Sequence, residues 1–261
     1  MIFGTLAELS RAQIQEPDPQ EIQGARTYVD EGLRGGIGFN VVINNFGFGI
    51  GGEYKRVLGP TLDGTLTLRW TGLRDVSEQT FTDIFFGQQV IPNKYQRAYA
   101  FPLTMSLRKR IFAEEVSDNY RFYVSGGIGP VVSFSYPYFD DNNNNGYREQ
   151  FQNYFEQTYD VFTGISDGQW HLGLTGEINV SVDIGENFSR LTSIQFGYLF
   201  YHFPDGIQMM MPNQPIRKQN PAPDEFPFLQ NPDGSLQMEP FFDSHHFFGT
   251  PQISLVFGRM W

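Results

Sequence analysis

Residues 169–184, QWHLGLTGEINVSVDI, decide the fold. One face reads Trp170, Leu172, Leu174, Gly176, Ile178, Val180, Val182 and Ile184. The other reads His171, Gly173, Thr175, Glu177, Asn179, Ser181 and Asp183. Successive side chains of a strand point to opposite faces, so this alternation is a β signature rather than the 3.6-residue period of a helix. The run is also far longer than the roughly 5–6 residues usual for strands of soluble sheets.

The same period recurs along the chain. Residues 36–43, 46–56, 65–74, 98–110, 120–136 and 191–203 alternate likewise, as does the C-terminal stretch carrying Ile253, Leu255, Phe257 and Trp261. With 169–184 these make eight strands. The first hairpin turns at Asn44-Asn45, a good tight-turn pair. The connections LGPTLDG, AEEVSDN and GENFSR are short, whereas those at about 75–97, 137–168 and 204–246 are long and polar. Tight turns at one end and long loops at the other are the pattern of a bacterial outer-membrane barrel, and an even strand count puts both termini on the tight-turn side.

Composition agrees. The chain has 261 residues, 16% of them aromatic and only 18% charged, with 28 Gly and 26 Phe, which argues against disorder and against a helical bundle. A formal net charge of -11 excludes a general nucleic-acid binder, and the lack of cysteine excludes disulfides, thiolate nucleophiles and Cys zinc sites. No stretch reaches the roughly 18–20 apolar residues of a spanning helix, but a closed barrel needs none. The start, MIFGTLAELSRAQIQEPDPQ, lacks the basic n-region of a secretory signal, so either the chain stays in the cytosol or a preceding leader has been removed or lost.

One face of the strands is Gly, Ser, Thr, Asn and charge, including Glu53, Arg69, Arg108, Arg121, Glu177 and Asp183; the other is aliphatic and aromatic. Small residues on the polar face suit the inside of a narrow barrel. The expected fold is therefore all-β: an eight-stranded antiparallel up-and-down transmembrane β-barrel, residues 35–261, behind an N-terminal periplasmic extension, residues 1–34, that acts as tether, plug or docking arm. Interior ion pairs among Glu53, Arg69, Arg108, Glu177 and Asp183 should fill the lumen, with Arg69 and Glu177 bridging across it. Tyr99, Tyr136, Trp170 and Phe200 make one expected interfacial girdle, and Tyr54, Phe122 and Trp261 the other. The competing reading, a soluble sandwich or lipocalin-like barrel, handles the strand lengths and the loop asymmetry poorly.

At this level the chain resembles the small outer-membrane β-barrels of Gram-negative bacteria, the outer membrane protein A/X-like superfamily. The resemblance rests most specifically on the C-terminal strand PQISLVFGRMW, with Ile253, Leu255 and Phe257 alternating and Trp261 last. It implies an outer-membrane location, contact with outer-membrane lipid, and recognition of Phe257 and Trp261 by the barrel-assembly machinery. Arg259 interrupts the apolar face, a departure that snorkelling to the headgroups would accommodate. Members include adhesins, anchors, small channels and lipid-modifying enzymes, so the resemblance leaves activity open.

The sharpest local motif is Asp141-Asn142-Asn143-Asn144-Asn145-Gly146-Tyr147-Arg148-Glu149, the first half of a calcium loop. Asp141, Asn143 and Asn145 supply oxygens at positions one, three and five, Tyr147 a carbonyl, and Glu149 the ninth position. Gln152 stands where the bidentate Glu belongs, so Ca2+ affinity should be weak; the plain alternative is an Asn-rich solvated turn. Residues 148–162 carry Phe151, Tyr154, Phe155 and Phe162 at helical spacing and suggest a short amphipathic helix. Met209–Met211 with Phe226 and Phe228 form a candidate apolar patch for a protein partner, and the PDG at 232–234 reads as a hairpin turn. Catalysis has thin support: His171, His202, His245 and His246 lie at the long-loop end without a nucleophile signature. The expected function is thus a non-enzymatic structural or interaction protein, with a lipid-modifying enzyme or a small solute channel as alternatives.

Overall fold

The computed structural model describes residues 25–82, 89–151 and 154–261. Residues 1–24 of the extension, and Gln152 of the calcium motif, lie outside the described residues.

Eight strands form the barrel: β1 Gly35–Asn44, β2 Gly47–Val57, β3 Leu62–Leu73, β4 Gln96–Ile111, β5 Tyr120–Pro137, β6 Gln169–Ile184, β7 Arg190–Ile207 and β8 His245–Met260. Each pairs antiparallel with its chain neighbours, and β1 closes on β8 in a register running from Gly36↔Met260 to Asn44↔Gln252. Closure leaves no edge, so every ladder group is paired within the wall.

Alternation sorts the side chains as the sequence reading expects. Ile128 is 74% exposed and Met105 69% exposed on the outer face, while Thr104 and Ser254 are buried on the inner one. The large exposed residues of all eight strands form one apolar surface, the inverse of a soluble barrel, and this defines a membrane-spanning wall. The wall is narrow enough that some inward positions admit no side chain: a Cβ at Gly129 would run into the Leu103 carbonyl, and one at Gly258 into that of Ile37.

The structure departs from the sequence reading at four places. The first hairpin turns at Asn45-Phe46 rather than Asn44-Asn45, because the Asn44 side-chain oxygen accepts from the Phe46 amide (2.9 Å) and Gly47 takes a positive φ of 120°. β6 keeps the expected bounds of 169–184, but β7 runs on to Ile207 and β8 starts at His245, and with strands longer than the ~9–11 residues that cross a bilayer the wall projects beyond the apolar belt. The described residues of 148–162 form no helix: Gln150–Phe151 pairs with Tyr154–Phe155 as a small hairpin of its own, and the Asp140 and Tyr159 amides bond to Gln157 and Tyr138. The segment thus pairs within itself and with residues 138–140, just past the end of β5. Finally, Tyr136 belongs to no lipid-facing girdle; it is 1% exposed, stacks on Tyr99 and Phe134, and donates its hydroxyl to the Val161 carbonyl (3.0 Å) of the second long loop.

Candidate functional site

Chemistry inside the barrel changes with height. Midway, Arg69 Nη1 on β3 reaches Glu177 Oε2 on β6 at 2.6 Å, across the lumen rather than along a ladder. Ser106 and Gln252 also donate to Glu177, and Gln252 donates to Asn179 as well. Toward the tight-turn end, Arg108 Nη2 on β4 meets Asp183 Oδ2 at 2.5 Å and its guanidinium covers the Tyr123 ring at 3.7 Å. Lys55 lies 3.7 Å from Glu53 on the same strand, both buried. The six charges read on the polar face, Glu53, Arg69, Arg108, Arg121, Glu177 and Asp183, are all buried, and Lys55 and Asp63 are buried beside them.

The described part of the N-terminal extension closes the tight-turn end. Tyr28 reaches in and donates to Asp183 (3.0 Å), while Leu33, Tyr123, Phe188 and Met260 pack around it. Arg110 anchors the segment through the Arg26 carbonyl (2.6 Å) and pairs with Asp118 (2.9 Å). Burial alone would raise the Asp118 carboxyl, but hydrogen bonds from Arg110 and from the Arg26 amide hold it below its ordinary value. Arg121 has no carboxylate within bonding reach among the described residues; its Nη1 donates to the Asp118 and Gly185 carbonyls and its guanidinium covers Phe188. Of the three roles expected for the extension, its described part takes that of plug; the sequence pattern did not single out Tyr28, which precedes the first alternating strand.

At the other end the lumen turns apolar. Phe46, Val131, Leu199, Tyr201, Phe203 and Phe248 fill the mouth, and Met209 and Met210 descend onto them. Met209–Met211 are therefore buried in the mouth, and Phe226 and Phe228 pack with Phe151 instead, so the apolar patch expected from sequence does not exist as one surface. Above the mouth the long loops are tied together. Asn93 and Lys94 bridge to Met210 and Met211, Lys94 Nζ meets Glu78 Oε2 at 2.7 Å, and Asp75 pairs with His245. Burial lowers the Lys94 ammonium pKa, with Glu78 opposing. The 232–234 turn closes a hairpin in which Asn231 and Ser235 pair and Gly234 takes a φ of 88°.

In the calcium motif, Asp141 accepts from the amides of Asn145 and Gly146, and the Asn143 and Asn145 side-chain amides both donate to Glu149 Oε1 at 3.0 and 2.9 Å. The Tyr147 amide donates to Asn145 Oδ1. The loop is thus knitted by Asp141 and Glu149 and by Glu156, whose carboxylate accepts from the Asn142 and Glu149 amides, and no cluster of three or more His, Asp or Glu side chains suited to a metal occurs among the described residues. The histidines separate: His245 faces Asp75, His246 Nδ1 donates to the Phe203 and Pro204 carbonyls, His202 is exposed, and His171 Nε2 lies 2.8 Å from Ser135 Oγ inside the mouth. On β8, Phe257 faces outward and Trp261 zips to Gly35 through paired backbone hydrogen bonds.

A closed eight-stranded antiparallel wall with an apolar exterior and a filled polar interior defines a membrane β-barrel. Among solved structures the chain is similar to the N-terminal β-barrel domain of Pseudomonas aeruginosa OprF, at 8% identity and a TM-score of 0.33 over 85% of this chain and 96% of that one. It is similar also to Neisserial surface protein A (NspA), at 7% identity and a TM-score of 0.35 over 88% and 96%. No family model matches the chain, and no curated protein does.

Proposed function

We propose that the chain is a non-enzymatic outer-membrane protein whose working surface is its loop layer, presented outside the cell on a sealed barrel. The carrying observation is the contrast between the two ends: tight turns and a plug on one side, and on the other three long loops cross-linked by ion pairs and backbone bridges. A transport role would need an open lumen, and the lumen is filled at three levels. The enzymatic alternative has the Ser135–His171 contact in its favour. Ser135 is however 1% exposed and faces into the mouth, with Ala98 and Gln169 paired to either side, so a lipid ester in the bilayer does not meet it. The β8 strand with Phe257 and Trp261 is the segment offered to the assembly machinery.

Cross-linking in intact cells tests this reading. The wild type should give a higher-mass adduct that disappears when residues 217–236 are replaced by a short Gly-Ser link, while the boiled-against-unboiled shift in SDS is kept. A heat-modifiable barrel with no adduct would overturn the interaction role and leave the architecture standing.

A further inference from the structure

The second and third long loops, 137–168 and 204–246, enclose a cleft of about 750 Å³, within the roughly 300–1,000 Å³ of small-molecule sites. Phe151 and Phe226 form its apolar wall, and Asn143, Glu149, Gln150 and Gln230 its polar one. Three physical points narrow the occupant. Phe151 and Phe226 meet edge to face at 5.2 Å, and Phe228 packs on both at 5.8 and 5.7 Å. A caged ammonium needs rings parted around it, each centroid within ~6 Å of the charge, whereas these rings fill that space with one another. No Lys or Arg lines the cleft, so an anion would face the Glu149 carboxylate without compensation. What remains is a neutral ligand with one apolar face and groups that both donate and accept. Side-chain amides and a carboxylate match hydroxyls, which do both, and an aromatic wall matches the C–H face of a sugar ring.

We propose that this cleft binds a neutral saccharide, an inference that rests on the loop layer being the working surface. Full-length protein in lauryldimethylamine oxide, chosen because sugar detergents would compete, is passed over immobilised maltohexaose, chitohexaose and xylohexaose, with polygalacturonate as the acidic control. The expected result is retention on at least one neutral resin. Phe226→Ala should weaken it at least tenfold, and Phe162→Ala, on an exposed side chain outside the cleft, less than twofold. Both variants should keep the SDS shift. Absence of retention on every neutral resin, equal retention on polygalacturonate, or an unchanged Phe226→Ala would overturn the proposal. If the cross-linked adduct persists while no sugar is held, the saccharide fails alone and the loop-layer reading survives.

Discussion

The buried pair Arg69–Glu177 illustrates how much hangs on single residues here. Both side chains are almost wholly buried, so each depends on the other for compensation of its charge. Glu177→Leu strands the guanidinium and should destabilise the barrel by about 3–5 kcal/mol. Adding Arg69→Met removes the stranded charge, and the double variant should regain most of that loss in urea unfolding followed by tryptophan fluorescence. A double variant no better than the single one would show that the loss comes from the missing ion pair itself and not from a stranded charge. That these two residues meet is readable from their mid-strand positions on one face. The Arg108–Asp183 match was not, because which inward charges face each other depends on the barrel's stagger, and Tyr28 joins them from a segment with no periodic pattern.

The strands were legible for the same reason that their ends were not. Within the bilayer, lipid on one side and a packed interior on the other enforce strict alternation; beyond it, both faces meet loops or water and the pattern blurs. Hence β7 runs on to Ile207 and β8 starts at His245, and the loop segment around 150–155 makes a small separate hairpin although its spacing suggested a helix. The alternation also hides tight spots. Gly129 on β5 sits where the Leu103 carbonyl leaves no space for a Cβ, and overfilling even a deformable core costs about 1–3 kcal/mol. Gly129→Val should therefore abolish the SDS-resistant form after refolding, whereas Gly59→Ala, in a turn with nothing near its Cβ, should leave it intact. Normal refolding of Gly129→Val would mean that β4 and β5 can part at this point.

For the molecule as a whole, the two ends are closed by different chemistry: an aromatic plug tied by Arg110 and Asp183 at one, an apolar mouth cluster at the other. Either seal should suffice. In planar lipid bilayers the wild type should show no discrete current steps, and removing residues 1–34 should leave it silent because the mouth and the mid-lumen ion pairs remain. Steady unitary currents from the wild type would restore the solute-channel alternative. The seam between β1 and β8 sets a further condition on this molecule. Seven of the eight pairings in the wall join strands that follow one another, and only the seam joins the two ends of the chain. The hairpins can form as they emerge, but a nascent molecule carries two bare sheet edges until residues 252–261 arrive, and such edges invite pairing with strangers. The last ten residues therefore act as a clasp: a chain missing them loses the seam and with it the matching half of the β7–β8 ladder, and stays open and prone to aggregate.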